Sequence, residues 1–507
     1  MCSSAQSLIF QDAKPPRIRP VCIGVRCIVV LLVCAGVTLS GTWHVGPGRT
    51  YTQPSQVSTL VAGGDTVLID PATYADVCAW RANDLLLKGS GGLVLLDAEG
   101  LNLCEGKAIW VLKGRNTTVD SVEFANASCP DENGAGIRQE GPGLLVRRCS
   151  FHDNEDGILA GADSTSDVTV EYSEFSRNGF GNGYTHNLYI GAVRTFTPRY
   201  SWSHLARVGH QVKSRARSNY VLYNRIMDED SGDASRELDL PNAGLSVVVG
   251  NLFQKGTLAE NSNTVGCGLE GISPGYGTTI YFGSNTLVNA RDPMGPFLTL
   301  QPGTHAVVWN NVFYGANEIV RNGSHEGSNN WVPVNHHGDD SLRNSTVGTD
   351  PGLLDPGAYD YHLASGSACI NAGATPDSLL RPLYQYVHPC GSEPRPELAP
   401  LDIGAYEYEP VGLSERRDPC HRGSQIRPQP NPFTDFTEIP GRNTARYVIS
   451  DAAGRIVGAT AGGRIGRDLK PGVYLLLSRD QPGLRFRVAK LGQAARPRVR
   501  RSASDTP

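Results

Sequence analysis

The sequence has little methionine and little net charge for its length. Its 507 residues include 3 Met, and the formal net charge at pH 7 is -4. A chain this close to neutral lacks the broad basic face with which proteins hold nucleic acid, so no nucleic-acid partner is predicted. Cys-x-x-Cys and His-Glu-x-x-His patterns are also absent, which argues against a zinc site.

The apolar run near the N-terminus is too short for a comfortable transmembrane span. It extends from Cys27 to Leu39, follows basic residues between Lys14 and Arg26, and precedes the small residues Ser40 and Gly41. This order predicts that residues 1–40 are a signal peptide, with a membrane anchor as the alternative. We expect a secreted or cell-surface protein that has no stable membrane span after processing.

Glycine and proline are abundant, with 58 Gly and 33 Pro, which favours many short strands joined by turns. A motif of the form apolar-x-x-(small or Asn)-x-apolar recurs about every 27 residues. A period of this length indicates a solenoid, and the leucine-rich repeat pattern is absent. The motifs end at Phe124, Phe151, Phe175, Leu205, Ile226, Phe253, Leu287 and Phe313.

The fourth motif position carries a small or polar side chain in successive repeats. The series from the second motif onward is Cys149, Ser173, Ser203, Asn224, Asn251, Asn285 and Asn311. One such residue per coil predicts an internal ladder, in which each side chain bonds backbone groups at a turn and its copy one coil away. The repeat then reads as strand, turn, strand and loop, with the copies stacked in parallel.

Of the 12 Cys, four precede Ser40 and eight belong to the expected mature chain. Exported proteins can form disulfides. Separations of about one coil suggest two bridges, Cys78 with Cys104 and Cys369 with Cys390.

Two segments resemble the ends of a known fold. The opening GTWHVGPGRTYTQPSQVSTLVAGGDTVLIDPATY and the ending LDIGAYEY are similar to the first and last turns of the pectin lyase-like superfamily. The resemblance covers residues 41–408. It implies an all-β fold, a right-handed parallel β-helix solenoid, and a fold of this kind does not by itself fix the chemistry.

A second, smaller unit follows a linker at residues 409–427. Residues 428–491 contain PQPNPF, then Asp451-x-x-Gly454-Arg455 and Leu469-x-Pro471-Gly472-Val473-Tyr474. These pieces resemble the C-terminal sorting domain of type IX secretion substrates, which implies a small β-sandwich and the type IX secretion machinery as a partner. A carbohydrate-binding or spacer module is the alternative. Residues 492–507, rich in Arg, Pro and Ala, are predicted to be a disordered tail.

Five strands that precede the ladder motifs can be aligned, because parallel stacking brings equivalent residues about 4.8 Å apart. The shared inward column is predicted to be Ile137, Ile158, Leu188, Val212 and Leu238. Alternation along a strand turns the neighbouring side chains outward. The three outward columns are predicted to be Arg138, Leu159, Tyr189, Lys213 and Asp239; Gly136, Gly157, Asn187, Gln211 and Glu237; and Ala135, Asp156, His186, His210 and Arg236.

Three adjacent coils thus concentrate ionisable and amide side chains on one face. These groups could simply pair with one another, but exposed pairs contribute little stability and do not explain the cluster. A functional cleft is therefore predicted, with an acidic polysaccharide as its partner. The residues predicted to bind substrate are His186, Asn187, Gln211, Arg236, Glu237, Asp239 and Asn242.

Members of the superfamily cleave uronic-acid polymers by β-elimination, which implies the same reaction class here. The step needs a cation for the carboxylate, a base for the adjacent C–H and an acid for the leaving oxygen. Lys213, crowded by positive charge on Arg215 and His210, is the predicted base. Tyr189 donates or relays the proton, and Arg215 or His210 holds the carboxylate.

The segment GHQVKSRARSNYVLYNRI is similar to the chondroitinase B and alginate lyase family, in which Lys213 matches the catalytic base. Two parts of that family's site differ. His210 and Gln211 replace glutamates that help bind calcium, and Leu238–Asn242 replaces an Arg-His-Gly acid. Calcium is thus a possible cofactor without an assigned ligand set, and the acidic candidates are Asp228, Glu229, Glu237 and Asp239.

Other functions stay open at the level of sequence. Glu237 and Asp239, two residues apart on a strand and expected to point the same way, would suit a glycoside hydrolase. A uronan epimerase begins with the same proton abstraction as a lyase. A non-catalytic glycan-binding or adhesin surface protein would bind without turnover and would leave Lys213 inert.

Overall fold

The computed structural model describes residues 40–315, 318–336, 341–376, 378–396 and 400–409, with shorter stretches between 437 and 490. The predicted signal peptide, apart from Ser40, lies outside the described residues. So do the predicted linker after Glu409 and the predicted tail at residues 492–507.

Three long parallel sheets dominate the described residues, and each coil of the chain contributes one strand to each sheet in turn. One sheet has ten strands and is called the site sheet, because it contains the strands that carry the predicted polar cluster. The other two have twelve and thirteen strands in the described part of the chain. The predicted right-handed parallel β-helix is confirmed.

The strands of the site sheet are Cys78–Trp80, Ala108–Leu112, Ala135–Gln139, Asp156–Ala160, Leu188–Ile190, His210–Ser214, Arg236–Leu240, Val265–Cys267, Leu298–Leu300 and Val320–Arg321. The twelve-strand sheet contains Ala72–Tyr74, Val94–Asp97, Glu123–Ala125, Ser150–His152, Glu174–Ser176, Trp202–His204, Arg225–Met227, Leu252–Lys255, Thr286–Asn289, Val312–Tyr314, Trp331–Pro333 and Thr346–Gly348. The thirteen-strand sheet contains Thr42–Val45, Thr66–Ile69, Leu86–Gly89, Thr117–Asp120, Leu144–Arg147, Asp167–Glu171, Thr195–Arg199, Ser218–Leu222, Leu245–Val249, Thr279–Gly283, His305–Trp309, Ser324–Ser328 and Leu342–Arg343.

Short elements flank the solenoid. Helix Ser55–Ser58 lies near its N-terminal end, where Val57 is buried. Past the last coil come two hairpins, with 3-10 turns beside them. The hairpin strands are Leu353–Asp355 with Asp360–Leu363 and Tyr384–Val387 with Gly391–Pro394, and the 3-10 turns are Pro356–Ala358 and Ser378–Leu380.

The predicted internal ladder is present at the corner between the thirteen-strand and twelve-strand sheets. Asn251 Nδ2 donates to Asn285 Oδ1 at 3.0 Å and to the Val221 carbonyl at 2.8 Å. Asn251 Oδ1 in turn accepts from the Asn224 backbone N–H at 2.9 Å and from Asn224 Nδ2 at 3.0 Å. These buried amides satisfy backbone groups that no strand pairing reaches.

The prediction that Ser203 belongs to this ladder is wrong. The ladder passes through Ser201, whose Oγ accepts from the Ser173 N–H at 3.2 Å. Ser203 instead pairs in register with Phe175, in the column of stacked rings formed by Phe124, Phe151 and Phe175. The motif ending at Leu205 was therefore aligned two residues late, because a serine takes the place that a large apolar residue holds in most neighbouring coils.

The two predicted disulfides are also wrong, since the cysteines of the described residues are free thiols. Cys78 pairs in register with Trp110, whereas Cys104 precedes that strand and bridges Ala108. Cys78 and Cys104 occupy different positions of their coils, and their thiols lie near each other without forming a bond.

The C-terminal unit contains antiparallel strands, as its predicted sandwich requires. A four-strand sheet and a two-strand sheet are described in this unit. The strands are Ile456–Ala461, Arg446–Asp451, Gly472–Ser478 and Arg485–Lys490 in the first sheet, and Thr437–Glu438 and Arg464–Ile465 in the second. Within the described residues, no helix is both long and apolar enough to span a membrane.

The ladder yields a stability prediction. Asn251→Ala removes the four side-chain hydrogen bonds given above and leaves buried donors and acceptors unsatisfied. We expect the free energy of unfolding to fall by about 2–4 kcal/mol, measured from urea unfolding. Asn102→Ala, at an exposed loop position, is the matched control and should change little. Equal shifts in the two variants would contradict a stabilising role for the ladder.

Candidate functional site

The outward face of the site sheet carries much of the predicted polar cluster. Strand pairing places Tyr189 beside Lys213 and Lys213 beside Asp239. The inward column predicted for the same strands is confirmed, since Leu188 pairs with Val212 and is buried. Adjacent strands of such a sheet lie about 4.8 Å apart, so one ligand can touch several coils.

The outward placement of Asn187, Gln211 and Glu237 is wrong, because all three are fully buried. The same position on an earlier strand is Gly136, where an added Cβ would lie 2.8 Å from the Phe151 ring. The chain turns a corner at this position, so regular alternation begins only one residue later. These side chains therefore point into the solenoid and cannot contact a sugar.

Asn187 and Gln211 instead form a second interior amide ladder beneath the site. Asn187 Nδ2 donates to Gln211 Oε1 at 2.8 Å and to Ser203 Oγ at 3.1 Å. Asn178 Nδ2 donates to Asn187 Oδ1 at 2.9 Å, and Gln211 Nε2 donates to Asp228 Oδ1 at 3.1 Å. Because these amides fill the interior here, the small Ser203 fits where neighbouring coils carry a large apolar side chain.

Glu237 belongs to a buried charge group inside the solenoid. Lys255 Nζ lies 3.4 Å from Glu237 Oε1 and 3.8 Å from Asp228 Oδ2. Burial raises the pKa of Glu237 well above its ordinary value. Glu237 and Asp239 thus point to opposite sides of the sheet, and the carboxylate pair expected for a glycoside hydrolase does not form.

The four acidic candidates for calcium do not converge either. Asp228 and Glu237 flank the Lys255 ammonium, Glu229 lies 3.2 Å from His204 Nδ1, and Asp239 faces the outer cations. Within the described residues, no group of three or more His, Cys, Asp or Glu side chains is arranged to hold a metal ion. These residues therefore do not fit a calcium site.

His186 and His210 form an almost fully buried pair beside the start of their strands, with their rings edge to face and their centroids 4.9 Å apart. The His210 backbone N–H donates to His186 Nδ1 at 3.0 Å, which places the His186 ring proton on Nε2. Burial lowers the pKa of His186 well below its ordinary value, and burial also lowers the pKa of His210. Both rings are therefore neutral near pH 7 and do not repel each other.

Asp239 connects the histidine pair to the cations. Its Oδ2 lies 3.1 Å from His210 Nε2 and 3.4 Å from Lys213 Nζ, and its Oδ1 lies 3.4 Å from Arg236 Nη1. Burial acts to raise the pKa of Asp239, but the contact with His210 and the charges of Arg236 and Lys213 outweigh it and lower the pKa to about 2. Asp239 is thus an anion that holds the cations in place, and its burial keeps it from substrate.

Lys213 and Arg215 converge on a single carboxylate. Lys213 Nζ donates to Glu270 Oε1 at 2.7 Å, and Arg215 Nη2 donates to Glu270 Oε2 at 2.5 Å. The argument that made Lys213 a base, crowding by positive charge alone, is therefore wrong, since two carboxylates contact its ammonium. The geometry suits carboxylate binding, because two separate donors hold the two oxygens of one group.

Tyr189 completes the accessible edge of this group. Arg215 Nε donates to the Tyr189 hydroxyl oxygen at 2.8 Å, and Arg215 Nη1 donates to Asn242 Oδ1 at 2.6 Å. The Tyr189 ring also stacks on His186, with centroids 5.6 Å apart. The structure therefore brings together the half-buried Tyr189, Arg215 and Asn242 with Lys213, which is 8% exposed, and His186 and His210 lie behind them.

Glu270 was missed by the sequence comparison, which ended at Pro241. The next coil, Val265-Gly266-Cys267-Gly268-Leu269-Glu270, aligns Gly266 with Asp239 and carries Glu270 just beyond the strand. Extending the alignment by one coil would have placed an acidic side chain at the edge occupied by Arg215.

Among the described residues, the side chains around Lys213 carry more positive than negative charge. The cations Lys213, Arg215 and Arg236 meet two carboxylates, Asp239 and Glu270, and the two imidazoles are neutral. Asp239 is buried, whereas the Glu270 side chain is 45% exposed. An incoming anion can therefore reach the two cations on the side now occupied by Glu270.

A comparison with protein-family models agrees with the fold. The family model for the right-handed β-helix region matches residues 85–332. The fold that this model describes is the one that the three parallel sheets of the structure form. A structure titled "Crystal structure of pectate lyase Pel9A" aligns with 74% of this chain and 98% of its own, at 13% identity and a TM-score of 0.48. No curated protein matches the sequence.

The neutral histidines predict a pH dependence of stability. The folded chain leaves His186 unprotonated, whereas the unfolded chain protonates it below about pH 6.5. The unfolded state then binds more protons, so the free energy of unfolding falls as the pH falls from about 7 to 5, by up to about 1.4 kcal/mol per pH unit. In His186→Gln this contribution disappears, and urea unfolding at several pH values should show a shallower decline.

His204 provides a control of opposite sign. Burial acts to lower the pKa of His204, but Glu174 and Glu229 outweigh it and raise the pKa above its ordinary value. Its protonation stabilises the folded chain at acid pH, and this stabilisation is lost as the pH rises through the folded-state pKa. His204→Gln should therefore lose a stabilisation that grows as the pH falls toward about 6.5 and is constant below that pH. A parallel response of the two variants would show that general acid unfolding, and not these side chains, governs the profile.

Proposed function

We propose that this β-helix binds an acidic polysaccharide along its site sheet and cleaves it by β-elimination. One observation carries the proposal: Lys213 and Arg215 together hold a carboxylate, that of Glu270, beside the Tyr189 hydroxyl. A uronate carboxylate that displaces Glu270 would receive the same two donors. Neutralising that carboxylate makes the adjacent C–H more acidic, which β-elimination requires.

Tyr189 is the proposed proton-transfer group. Its oxygen already accepts a hydrogen bond from Arg215, and its half-buried ring lies beside the carboxylate-binding pair. In its ionised form the phenol takes the proton from the carbon next to the carboxylate, and a C=C bond forms as the C–O bond to the leaving sugar breaks. The phenol then delivers the same proton to the leaving oxygen, so that protons and charge balance.

The other predicted residues receive supporting roles. Lys213 moves from base to carboxylate binder, and Asn242 orients Arg215 through a 2.6 Å hydrogen bond. Asp239, His210 and Arg236 fix the position of Lys213 from below. Such preorganised positive charge stabilises the negative charge that develops on the substrate during proton abstraction.

The reaction is tested by following the absorbance of an unsaturated uronate. The purified chain is mixed with alginate, pectate or glycosaminoglycans. Tyr189→Phe should lower kcat about a hundredfold or more, because the proton-transfer group is lost. Lys213→Ala and Arg215→Ala should raise KM and also lower kcat, because these cations bind the carboxylate and stabilise the charge that develops on it. Tyr220→Phe, on the thirteen-strand sheet, is the matched control and should retain wild-type activity.

Glu270→Gln sharpens the same test. Removing the resident carboxylate should lower KM for an acidic polymer several-fold, since substrate no longer competes for the two cations. Glu326→Gln is the control, because that side chain is 71% exposed on another sheet. A higher KM in Glu270→Gln would contradict the displacement step. Absence of unsaturated product from every polymer would refute the lyase; binding without turnover would then indicate a glycan-binding protein, and exchange of the carbon-bound proton would indicate an epimerase.

We further propose that the chain is exported and displayed at a bacterial surface through the type IX machinery. The support is sequence alone: the basic, apolar and small-residue order before Gly41 and the motif from Leu469 to Tyr474. Expression of the full chain and of a chain ending at residue 427, followed by immunoblots of medium and cell fractions, tests this. Loss of surface or medium protein on truncation is expected, and equal export would contradict the sorting role.

A further inference from the structure

A second polar cavity lies on the same face of the site sheet, toward the N-terminal end of the solenoid. Its volume is about 220 Å³. It contains both charged groups and an apolar side chain, which is the mixture expected where a sugar ring is bound. Its lining residues are Glu105, Gly106, Lys107, Asp131, Asn133, Arg138 and Leu159.

Most of the charges around this cavity are already paired. Glu105 lies 2.7 Å from Lys113 Nζ and 3.0 Å from Arg81 Nη2. Glu140 lies 2.5 Å from Lys107 Nζ. On this rim of the cavity, three cations (Arg81, Lys107 and Lys113) therefore contact two carboxylates (Glu105 and Glu140).

Arg138 differs from these neighbours. Among the described residues it has neither an ion pair within 4 Å nor a hydrogen bond, and its buried Nε lacks a partner. Asp156 lies close enough to interact with it electrostatically, but no hydrogen bond or ion pair within 4 Å joins the two side chains, and burial raises the pKa of Asp156 well above its ordinary value. Glu105 and Asp131 also line the cavity, but neither forms an ion pair with Arg138 within 4 Å, so the half-buried guanidinium is available to the anionic group of a ligand.

Arg138 shares an outward column with the proposed reaction site. Strand pairing links Arg138 to Leu159, Leu159 to Tyr189 and Tyr189 to Lys213. At one strand spacing per coil, Arg138 and Lys213 are about 14 Å apart along the solenoid axis. Leu159 offers an apolar floor between them, and Asn133 and Asp131 offer hydrogen-bonding groups for sugar hydroxyls.

We propose that the Arg138 cavity is a second binding site for the same substrate, which takes the carboxylate of another acidic sugar of the polymer. The inference rests on the proposed function in that both sites then hold one chain. The polymer runs parallel to the solenoid axis, with one carboxylate at Arg138 and another at Lys213 and Arg215. A substrate long enough to reach both sites binds more tightly than one confined to the reaction site.

Binding of saturated oligosaccharides tests the site without reliance on turnover. Calorimetry compares galacturonate and alginate octasaccharides with the corresponding disaccharides, which are too short to span both sites. Arg138→Ala should weaken binding of the octasaccharide about tenfold or more and leave the disaccharide unchanged, because a charged hydrogen-bonding partner is lost only from the longer ligand. Arg138→Lys keeps the charge but not the paired donors, so it should lose less.

Two controls separate the site from general charge. Arg194→Ala removes an arginine just before strand Thr195–Arg199 of the thirteen-strand sheet, where it already pairs with Asp167, and this variant should bind like the wild type. A methyl-esterified octasaccharide should bind wild type and Arg138→Ala equally, because it carries no carboxylate. Urea unfolding confirms that each variant is folded.

The outcomes distinguish this site from the proposed reaction. Wild-type octasaccharide affinity in Arg138→Ala overturns the second site, even where turnover depends on Lys213. Loss of octasaccharide affinity in Arg138→Ala with no unsaturated product from any polymer supports the site and refutes the lyase. No preference of the wild type for the octasaccharide over its methyl ester overturns the site.

Discussion

From Cys149 to Asn311, each corner between the thirteen-strand sheet and the twelve-strand sheet has a buried backbone N–H, and a side-chain oxygen of the next coil accepts its hydrogen bond. Asn224, Asn251 and Asn285 repeat this contact at 2.9 Å. An unsatisfied buried amide costs about 1–3 kcal/mol, so a slip of one coil against another is penalised at every step. The ladder thereby fixes the register of all three sheets, and the outward columns inherit that register.

The candidate site exploits this register together with a local change in the interior. Beneath most coils the core is apolar, but beneath Tyr189 and Lys213 it contains the amides of Asn187 and Gln211. A second buried amide ladder holds the start of these strands, from which His186 and His210 reach the site. Rigid placement of the histidines lets Asp239, a buried anion, hold Lys213 at 3.4 Å. The functional side chains are thus supported by polar contacts on both faces of the sheet.

A parallel β-helix presents equivalent positions at equal intervals, which suits a polymer better than a small ligand. The Arg138 cavity and the Lys213 and Arg215 pair lie on one column, and the half-buried Leu159 lies between them. Glu270 closes one of these positions with a carboxylate of the chain's own. In the proposed function, competition between that carboxylate and the carboxylates of a polymer would give this face a preference for ligands that contact several coils together.

The sequence by itself determined the repeat, the parallel stacking and the outward column of Tyr189, Lys213 and Asp239, because these follow from a periodic pattern of apolar and small residues. Tertiary structure decided which polar residues face solvent. The chain turns a corner at Asn187, Gln211 and Glu237, and inward and outward side chains do not alternate there, so these three side chains are buried. It also decided the partner of Lys213, since Glu270 is 57 residues away in sequence and reaches the site only through a loop of a later coil. Periodicity is a property of the strand, whereas corners and loops depend on how successive coils pack.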